Sequence, residues 1–506
     1  MDFVCLILFL LMYIFRPQEW IGILSSFHPI QILSVLAAYA LLSRDKGIKI
    51  SDLFKTPHDW LIFAYLGWAV YAASSPWQTF KALQSVILFY VVAVQALSSV
   101  PRLKTFLGWW AVSLLIIALL TIGSEHGFDP FGSHDLSEFH MKGRTCLNLS
   151  IYNNPNGLGH TLVPVIPMLY FLLFWKNAIG KLSVVFLIFP LWAIYMTQSK
   201  GAAIAAFATI VATLTFGRPK AVQIAILCFT GVFGVGALYS LPRMSELNHA
   251  KTDAAISGRV AAFTFGYDCM RRNMYGLGLG NFQEKFFANG PLERYQVKVL
   301  KTYRTKETHE TMVRVWRYRH YFKAPHSSFN QNGAELGFPG FVLFIGVLYS
   351  CLRTLVTMSK GTVDEERIRR ALFAIVVAYI VSSWMVDFGL RPTFFLFVAA
   401  TGALHRLILP KTKADEETEA EGRETLPVPL WKQRLLPKPE LAVSCSGGAA
   451  VLETPLPSLR SKANDSEQSE EGSSINWRRV GVIDLGMISL LTIAALWFWR
   501  YTIARF

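Results

Sequence analysis

Long apolar runs separated by short polar turns recur along most of the 506-residue chain. Many of these runs reach about 20 residues, the length at which an α-helix crosses roughly 30 Å of hydrocarbon. The pattern predicts an all-α polytopic membrane protein with about 12 transmembrane helices, one extra C-terminal helix and a large external loop. The predicted helices cover residues 3–15, 21–43, 60–74, 82–100, 104–123, 157–175, 181–198, 201–217, 220–240, 337–358, 370–386, 393–409 and 482–502.

Composition supports this class, because 53% of the residues are hydrophobic and only 16% are charged. Soluble domains usually carry about 25% charged residues. The first run, Phe3 to Ile14, has neither a basic segment before it nor a small-residue cleavage site after it, so it is interpreted as a retained helix rather than a signal peptide. The six cysteines lack metal-binding spacing, and a disulfide between Cys146 and Cys269 remains open.

Lysine and arginine are concentrated in every second short loop, which by the positive-inside rule predicts a cytoplasmic N-terminus. Loops 124–156 and 241–336 then lie outside the cytoplasm. From Leu241 to Asn330 the chain carries 15 Lys and Arg against 7 Asp and Glu, a formal charge of +8. Such a loop is suited either to anionic lipid headgroups or to a lipid that bears phosphate.

The chain is divided by its composition into three parts. Residues 1–409 form the transmembrane core, and residues 410–481 are rich in proline, serine and acidic residues, which is typical of a disordered cytoplasmic linker. Residues 482–506 contain the extra transmembrane helix. We expect deletion of residues 411–506 to leave the core folded.

Polar groups able to do chemistry are concentrated in the external loops, whereas the helix cores contain few ionisable residues, which disfavours an ion-coupled transporter. Four polar clusters lie in these loops, and each also has a purely structural explanation. In chain order these explanations are a turn with a helix cap, a lysine that reaches towards headgroups, a compact glycine turn and a solvated histidine. The glycine-rich stretch lacks the βαβ surroundings of a nucleotide loop. The four clusters are Gly143-Arg144 with Asn153 to Gly157, Gln198 to Ala202, Ser257 to Arg259 with Gly276 to Phe282, and Pro325 to Gly340.

Together the clusters resemble the bacterial O-antigen ligase and O-antigen polymerase superfamily, over roughly residues 60–409. The resemblance rests on Gly258-Arg259 ahead of Gly276 to Phe282, and on His326-Ser327 followed by Glu335, Gly337 and Gly340. Two departures are Lys200, where the family often has arginine, and Asn273-Met274-Tyr275 in place of a proline. The segment Arg16 to Trp20 is also similar to the branch of exosortase-associated O-glycosylation ligases.

The resemblance implies a fold similar to C-type glycosyltransferases and a site at the external face of the bacterial inner membrane. The donor would be a glycan on a polyprenyl diphosphate, bound by Arg259, Lys200 and Arg144, because guanidinium groups offer paired hydrogen bonds to phosphate. His326 would take the proton of the acceptor hydroxyl. Glu335 would orient His326 or cap a helix.

No metal or other cofactor is expected, because basic side chains would replace a divalent ion. The expected partners are the lipid-linked donor, a lipid, glycan or protein acceptor and the membrane, with no nucleic acid. A repeat-unit polymerase differs from a ligase only in its acceptor. A flippase of lipid-linked oligosaccharide would need a basic cavity but not His326, and a non-catalytic scaffold would use the long loop for binding only.

Overall fold

The computed structural model describes residues 2–26, 29–43, 53–141, 143–174, 181, 183–231, 236, 254–304, 308–358, 361–409 and 477–505. The predicted linker, 410–481, lies almost entirely outside these described residues. The first helices are α1 (Asp2–Phe15), α2 (Pro17–Trp20), α3 (Gly22–Ser26), α4 (Pro29–Leu42), α5 (Pro57–Tyr71), α6 (Pro76–Ala96), α7 (Val100–Glu125) and α8 (Ser133–Asp135), followed by a π-helical turn, Leu136–His140.

The middle of the chain contains shorter helices. Prolines at 164, 167 and 190 lie within the predicted helices 157–175 and 181–198, where a proline removes a backbone donor and interrupts regular hydrogen bonding. The structure accordingly divides this region into α9 (Pro155–Leu162), α10 (Val165–Met168), a π-helical turn (Leu169–Phe174), α11 (Ser183–Phe186), α12 (Ile188–Met196), α13 (Lys200–Thr215) and α14 (Lys220–Phe229).

The long loop 241–336 is not irregular where the structure describes it. It contains α15 (Ala254–Arg272), α16 (Phe282–Asn289) and an antiparallel hairpin of β1 (Glu293–Arg304) and β2 (Thr308–Arg319), with Glu293 paired to Arg319. The prediction of an all-α chain is therefore correct for the transmembrane part but incomplete for this loop. Long apolar runs define the predicted elements, and because this loop has none, the hairpin is not among them.

The C-terminal part of the core contains α17 (Ser328–Thr357), α18 (Val363–Ser383), α19 (Pro392–Ile408) and α20 (Val482–Arg505). Four helices of the described part, α6, α7, α17 and α20, are long and apolar enough to cross a membrane. The class of helical membrane protein is thus supported, whereas the predicted number of about 12 spans is not established.

Helix α17 begins nine residues before its predicted start and bends at Gly337. This glycine has φ 66° and ψ −168°, and Pro339 follows it within the same helix. The carbonyl of Leu336, at the bend, accepts a hydrogen bond from the Trp68 indole over 2.8 Å. Residues 328–336 are therefore a separate short segment ahead of the long helix.

Two of the turns predicted on the basic side of the membrane, those at Lys104 and at Asp364, lie next to each other. Lys104 Nζ, at the start of α7, is 2.8 Å from Asp364 at the start of α18. Arg102 lies 3.6 Å from Asp2, so the N-terminus is at this same end of the helices, the basic end. The opposite end, where α13 begins and α18 finishes, is called the site end below.

Helix α20 belongs to the same compact unit as the core. Trp499 is fully buried, and its indole donates to the carbonyl of Phe263 in α15 over 3.2 Å. Near the other end, buried Asp484 pairs with Arg353 of α17 and accepts from the Trp477 indole over 2.8 Å. The extra C-terminal helix therefore packs against α15 and α17. Cys146 and Cys269 are both free thiols.

Candidate functional site

Three non-glycine residues of the described part have positive φ: Arg16 at 47°, Gln198 at 47° and His326 at 54°. Left-handed backbone costs such residues about 1–3 kcal/mol and is concentrated at functional sites. Each of the three lies in a motif identified from the sequence, and each comes at or directly before the cap of a helix. The strained backbone therefore coincides with the polar clusters.

Capping side chains determine how two of these motifs fold. Ser199 accepts a hydrogen bond from the N–H of Ala202, which starts α13 at Lys200. Ser327 accepts from the N–H of Asn330 and starts α17. Serine is a preferred N-cap because its oxygen satisfies a backbone donor that has no partner within the helix. Lys200 is therefore in the first turn of a helix, not in the loop that was predicted.

Arg144 connects the first predicted external loop to the Lys200 turn. Its Nε donates to the carbonyl of Thr197 over 3.1 Å, and its Nη2 donates to Asn156 Oδ1 over 2.8 Å. Asn154 caps α9 by accepting from the N–H of Asn156, which confirms the predicted turn and cap. Two of the sequence clusters are thus joined by one guanidinium group.

The Lys200 turn also packs on His160. A methyl group added at Gly201 would lie 2.9 Å from His160 Nε2, so the two elements approach as closely as a glycine allows. His160 is 3% exposed and its Nδ1 lies 2.8 Å from the hydroxyl of Ser382 in α18. The positive charge of Arg259 also acts on this imidazole. His160 therefore links the Lys200 turn to the third cluster.

Arg259, Lys323 and His326 form the most cationic part of the site. A methyl group at Gly258 would lie 2.6 Å from Lys323 Nζ, which places the lysine against the start of α15. Farther along α15, the Asn330 amide donates to the carbonyl of Ala262 over 3.1 Å. Helix α15 and the segment that carries His326 consequently run side by side.

The electrostatic environment of this group keeps His326 neutral. Burial, the charge of Arg259 and then the charge of Lys323 lower the pKa of His326 to about 3. Burial and Arg259 also lower the pKa of the Lys323 ammonium from its ordinary value. Two neighbouring, partly buried cations form a place where an anionic ligand would be stabilised.

The hydrogen bonds of Glu335 join it to the glycine-rich segment. Its carboxylate accepts from the backbone N–H of Phe282 over 3.2 Å and from the Gln331 amide over 3.3 Å. Its carbonyl accepts from the N–H of Gly278 over 2.9 Å. These bonds hold the glycine-rich segment at the far end of α15. In the contacts described, Glu335 therefore has a structural role.

Part of the chain matches a known protein family. Residues 182–345 match the family model described as O-antigen ligase. The matched segment, about a third of the chain, is similar to the O-antigen ligase family. The resemblance found in the sequence motifs is thereby confirmed. No curated protein matches the chain.

The O-antigen ligase domain contains Lys200, Arg259, His326 and Glu335, whereas Arg144 precedes it. Lys323 is not among the predicted site residues, because nothing in the sequence distinguishes it from the other 14 basic residues of its loop. The only available signal was its position three residues before His326. The structure brings Lys323, Arg259 and His326 together and leaves Glu335 with the glycine-rich segment.

Proposed function

We propose that this protein transfers a glycan from a polyprenyl diphosphate to an acceptor hydroxyl at the external face of the bacterial inner membrane. The observation that carries the proposal is the grouping of Arg259, Lys323 and neutral His326 beside the Lys200 turn. A diphosphate anion can bind to the two neighbouring cationic side chains through charge-assisted hydrogen bonds. A neutral imidazole supplies what an acceptor hydroxyl needs, a place for its proton.

The location of the site agrees with such a donor. The clusters lie at the site end of the helices, opposite the end that holds Arg102 and Lys104. If the basic end is cytoplasmic, as the loop charges predict, the site faces outside. There the apolar tail of the donor can lie in the bilayer while its diphosphate lies at the interface.

The proposed reaction is a single displacement. The acceptor oxygen forms a bond to the anomeric carbon of the donor glycan, and its proton passes to His326. The bond between the anomeric carbon and the diphosphate oxygen breaks, and its electron pair stays on the polyprenyl diphosphate. Arg259, Lys200 and Lys323 stabilise this departing charge, and Arg144 adds a fourth positive group behind the Lys200 turn.

Donor binding would also change the pKa of His326. In the free protein the charges of Arg259 and Lys323 oppose protonation of the imidazole and lower its pKa. A bound diphosphate neutralises these charges, so the pKa of His326 rises and the imidazole becomes a better base when the substrate is present.

The decisive experiment uses protein reconstituted in vesicles with a donor lipid labelled in its glycan. A transferase produces labelled acceptor and an equal amount of glycan-free polyprenyl diphosphate, in the presence or absence of EDTA. A flippase moves the donor across the bilayer with both bonds intact. Recovery of intact donor alone would contradict the proposal, and a loss of turnover with EDTA that Mg²⁺ restores would contradict its metal-independent mechanism.

A further inference from the structure

The segment Arg16 to Trp20 lies outside the O-antigen ligase domain and has no part in the reaction described above. Arg16 follows α1 in a left-handed conformation, with φ 47°, the same strained backbone found at Gln198 and His326. Its guanidinium group forms an ion pair with Glu19 at 2.9 Å. A strained residue whose side chain is fixed in this way indicates that the segment has a defined partner.

That partner is the turn around Ser150 in the first predicted external loop. Glu19 accepts two hydrogen bonds from Ser150, one from the backbone N–H and one from the hydroxyl, each 2.7 Å long. Arg16 also donates to the Ser150 hydroxyl. Nearby, the hydroxyl of Tyr152 donates to the carbonyl of Ile14 over 3.1 Å.

The turn around Ser150 lies close in the chain to Arg144 and to Asn156, a hydrogen-bond partner of Arg144. The N–H of Leu147 bonds to the carbonyl of Tyr152 over 3.1 Å, which closes the loop around Ser150. Asn156, six residues after Ser150, is the acceptor for Arg144 Nη2, and Arg144 Nε reaches Thr197 just before the Lys200 turn. Polar contacts, and the short chain segments between them, thus connect Glu19 to the residues directly before α13.

We propose that Arg16 and Glu19 are positioning residues of the donor site, acting through the loop that holds Arg144. This inference rests on the proposed function, because it assigns them an effect on binding of the lipid diphosphate. They touch neither donor nor acceptor. They fix residues 143–157 so that Arg144 keeps the Lys200 turn in place. The alternative is that Arg16 and Glu19 only hold one surface segment against another.

A double-mutant cycle separates these accounts. The variants Glu19→Ala, Arg144→Ala and the double variant are placed in nanodiscs, and binding of a polyprenyl diphosphate oligosaccharide is titrated. Each single change should weaken binding by about tenfold, the effect of losing one charge-assisted hydrogen bond at a partly exposed place. The double variant should be no weaker than Arg144→Ala alone, because both changes act through the same group.

Two further readouts distinguish positioning from general stability. The kcat of Glu19→Ala at saturating donor should stay within about twofold of the parent, with the loss in KM, since the reacting groups are untouched. Glu19→Gln keeps an acceptor for the Ser150 N–H and should lose less affinity than Glu19→Ala. Glu138→Ala removes an exposed carboxylate from the same loop, where it contacts His134, and should bind donor as the parent does.

A change in the structure of this loop can be detected at Cys146, which is buried and forms no disulfide bond. In a variant whose other cysteines are replaced by serine, Glu19→Ala should speed maleimide labelling of Cys146. Parental labelling and parental donor affinity in Glu19→Ala, with weak binding in Arg144→Ala, would overturn the positioning role alone. Additive losses in the double variant would also overturn it. Absence of donor binding by the parent would contradict the proposed function itself.

Discussion

The Glu335 carboxylate accepts a hydrogen bond from the backbone N–H of Phe282 over 3.2 Å. Through its carbonyl, Glu335 also receives the N–H of Gly278. Residue 335 therefore binds the glycine-rich segment at two points, which gives the glutamate and the glycines a structural role that needs no nucleotide. Close approach of backbone to backbone is the property that the glycines provide here.

Gly276 and Gly280 test this explanation, because both have left-handed φ, 75° and 80°. An added methyl group at Gly276 would lie 2.5 Å from the carbonyl oxygen of Glu335, whereas at Gly280 nothing lies within 4 Å. Gly280→Ala should cost only the backbone strain, about 1 kcal/mol. Gly276→Ala should cost a further 1–3 kcal/mol or so from overpacking. Thermal unfolding of the two variants in detergent makes the comparison, and equal losses would contradict it.

The burial of Trp499 leads to a second matched pair. Trp499 is 0% exposed between α15 and α17, whereas Trp497, two residues earlier, is 67% exposed. Trp499→Ala should lower the free energy of unfolding by about 3 kcal/mol, as expected for a buried large aromatic side chain. Trp497→Ala should leave it within about 0.5 kcal/mol of the parent. Unfolding in a denaturing detergent measures the stability of both variants. Similar stabilities would mean that α20 contributes little to the stability of the core.

The sequence predicts uninterrupted helices well and divided ones poorly. Val100–Glu125 and Val482–Arg505 are single apolar runs and lie within a few residues of their predicted bounds. Residues 157–198 are equally apolar, but their prolines divide them, which a search for hydrophobic length does not register. The hairpin at 293–319 has no apolar run and was not predicted.

The candidate site shows the same division between local and non-local information. The motifs identified Arg259 and His326 because the residue types and their spacing are visible in the sequence. The position of Lys323 beside Gly258 depends on how α15 packs on the segment before α17, which spacing does not reveal. The same is true of Glu335, whose carboxylate accepts a hydrogen bond from the N–H of Phe282, a contact that spacing does not reveal.

Arg259 provides a test of how the diphosphate is held. A guanidinium group can donate two parallel hydrogen bonds to phosphate, whereas an ammonium group acts as a point charge. Arg259→Lys should therefore lose donor affinity nearly as much as Arg259→Ala, by roughly 100-fold. Arg272→Ala, an exposed residue at the end of the same helix, is the control. Near-parental binding by Arg259→Lys would show that charge alone is enough.

The pH dependence of transfer should reveal the cations around His326. Activity needs the neutral imidazole, so it is lost as pH falls through the pKa of His326, which burial, Arg259 and Lys323 lower to about 3 in the free protein. From pH 8 to pH 5, kcat/KM should therefore stay flat. The kcat should decline within this range, because the bound diphosphate neutralises the cations and raises the pKa.

Lys323→Met sharpens this test. Removing one positive charge beside His326 raises its pKa in the free protein, so the acid limb of kcat/KM should move to higher pH. Lys285→Met, an exposed lysine on α16, should leave the limb where it is. Identical profiles for parent, Lys323→Met and Lys285→Met would show that Lys323 does not act on His326.

The most direct test of the account is glycan transfer by His326→Ala, measured beside donor binding with purified donor lipid and acceptor. General-base catalysis contributes about 10²–10⁴-fold, so transfer should fall by that factor while donor binding persists through Arg259 and Lys323. His326→Gln should be equally defective, since an amide cannot take the proton. His134→Ala, in an exposed loop, should transfer at the parental rate. Parental transfer by His326→Ala would contradict the catalytic role and the enzymatic function built on it.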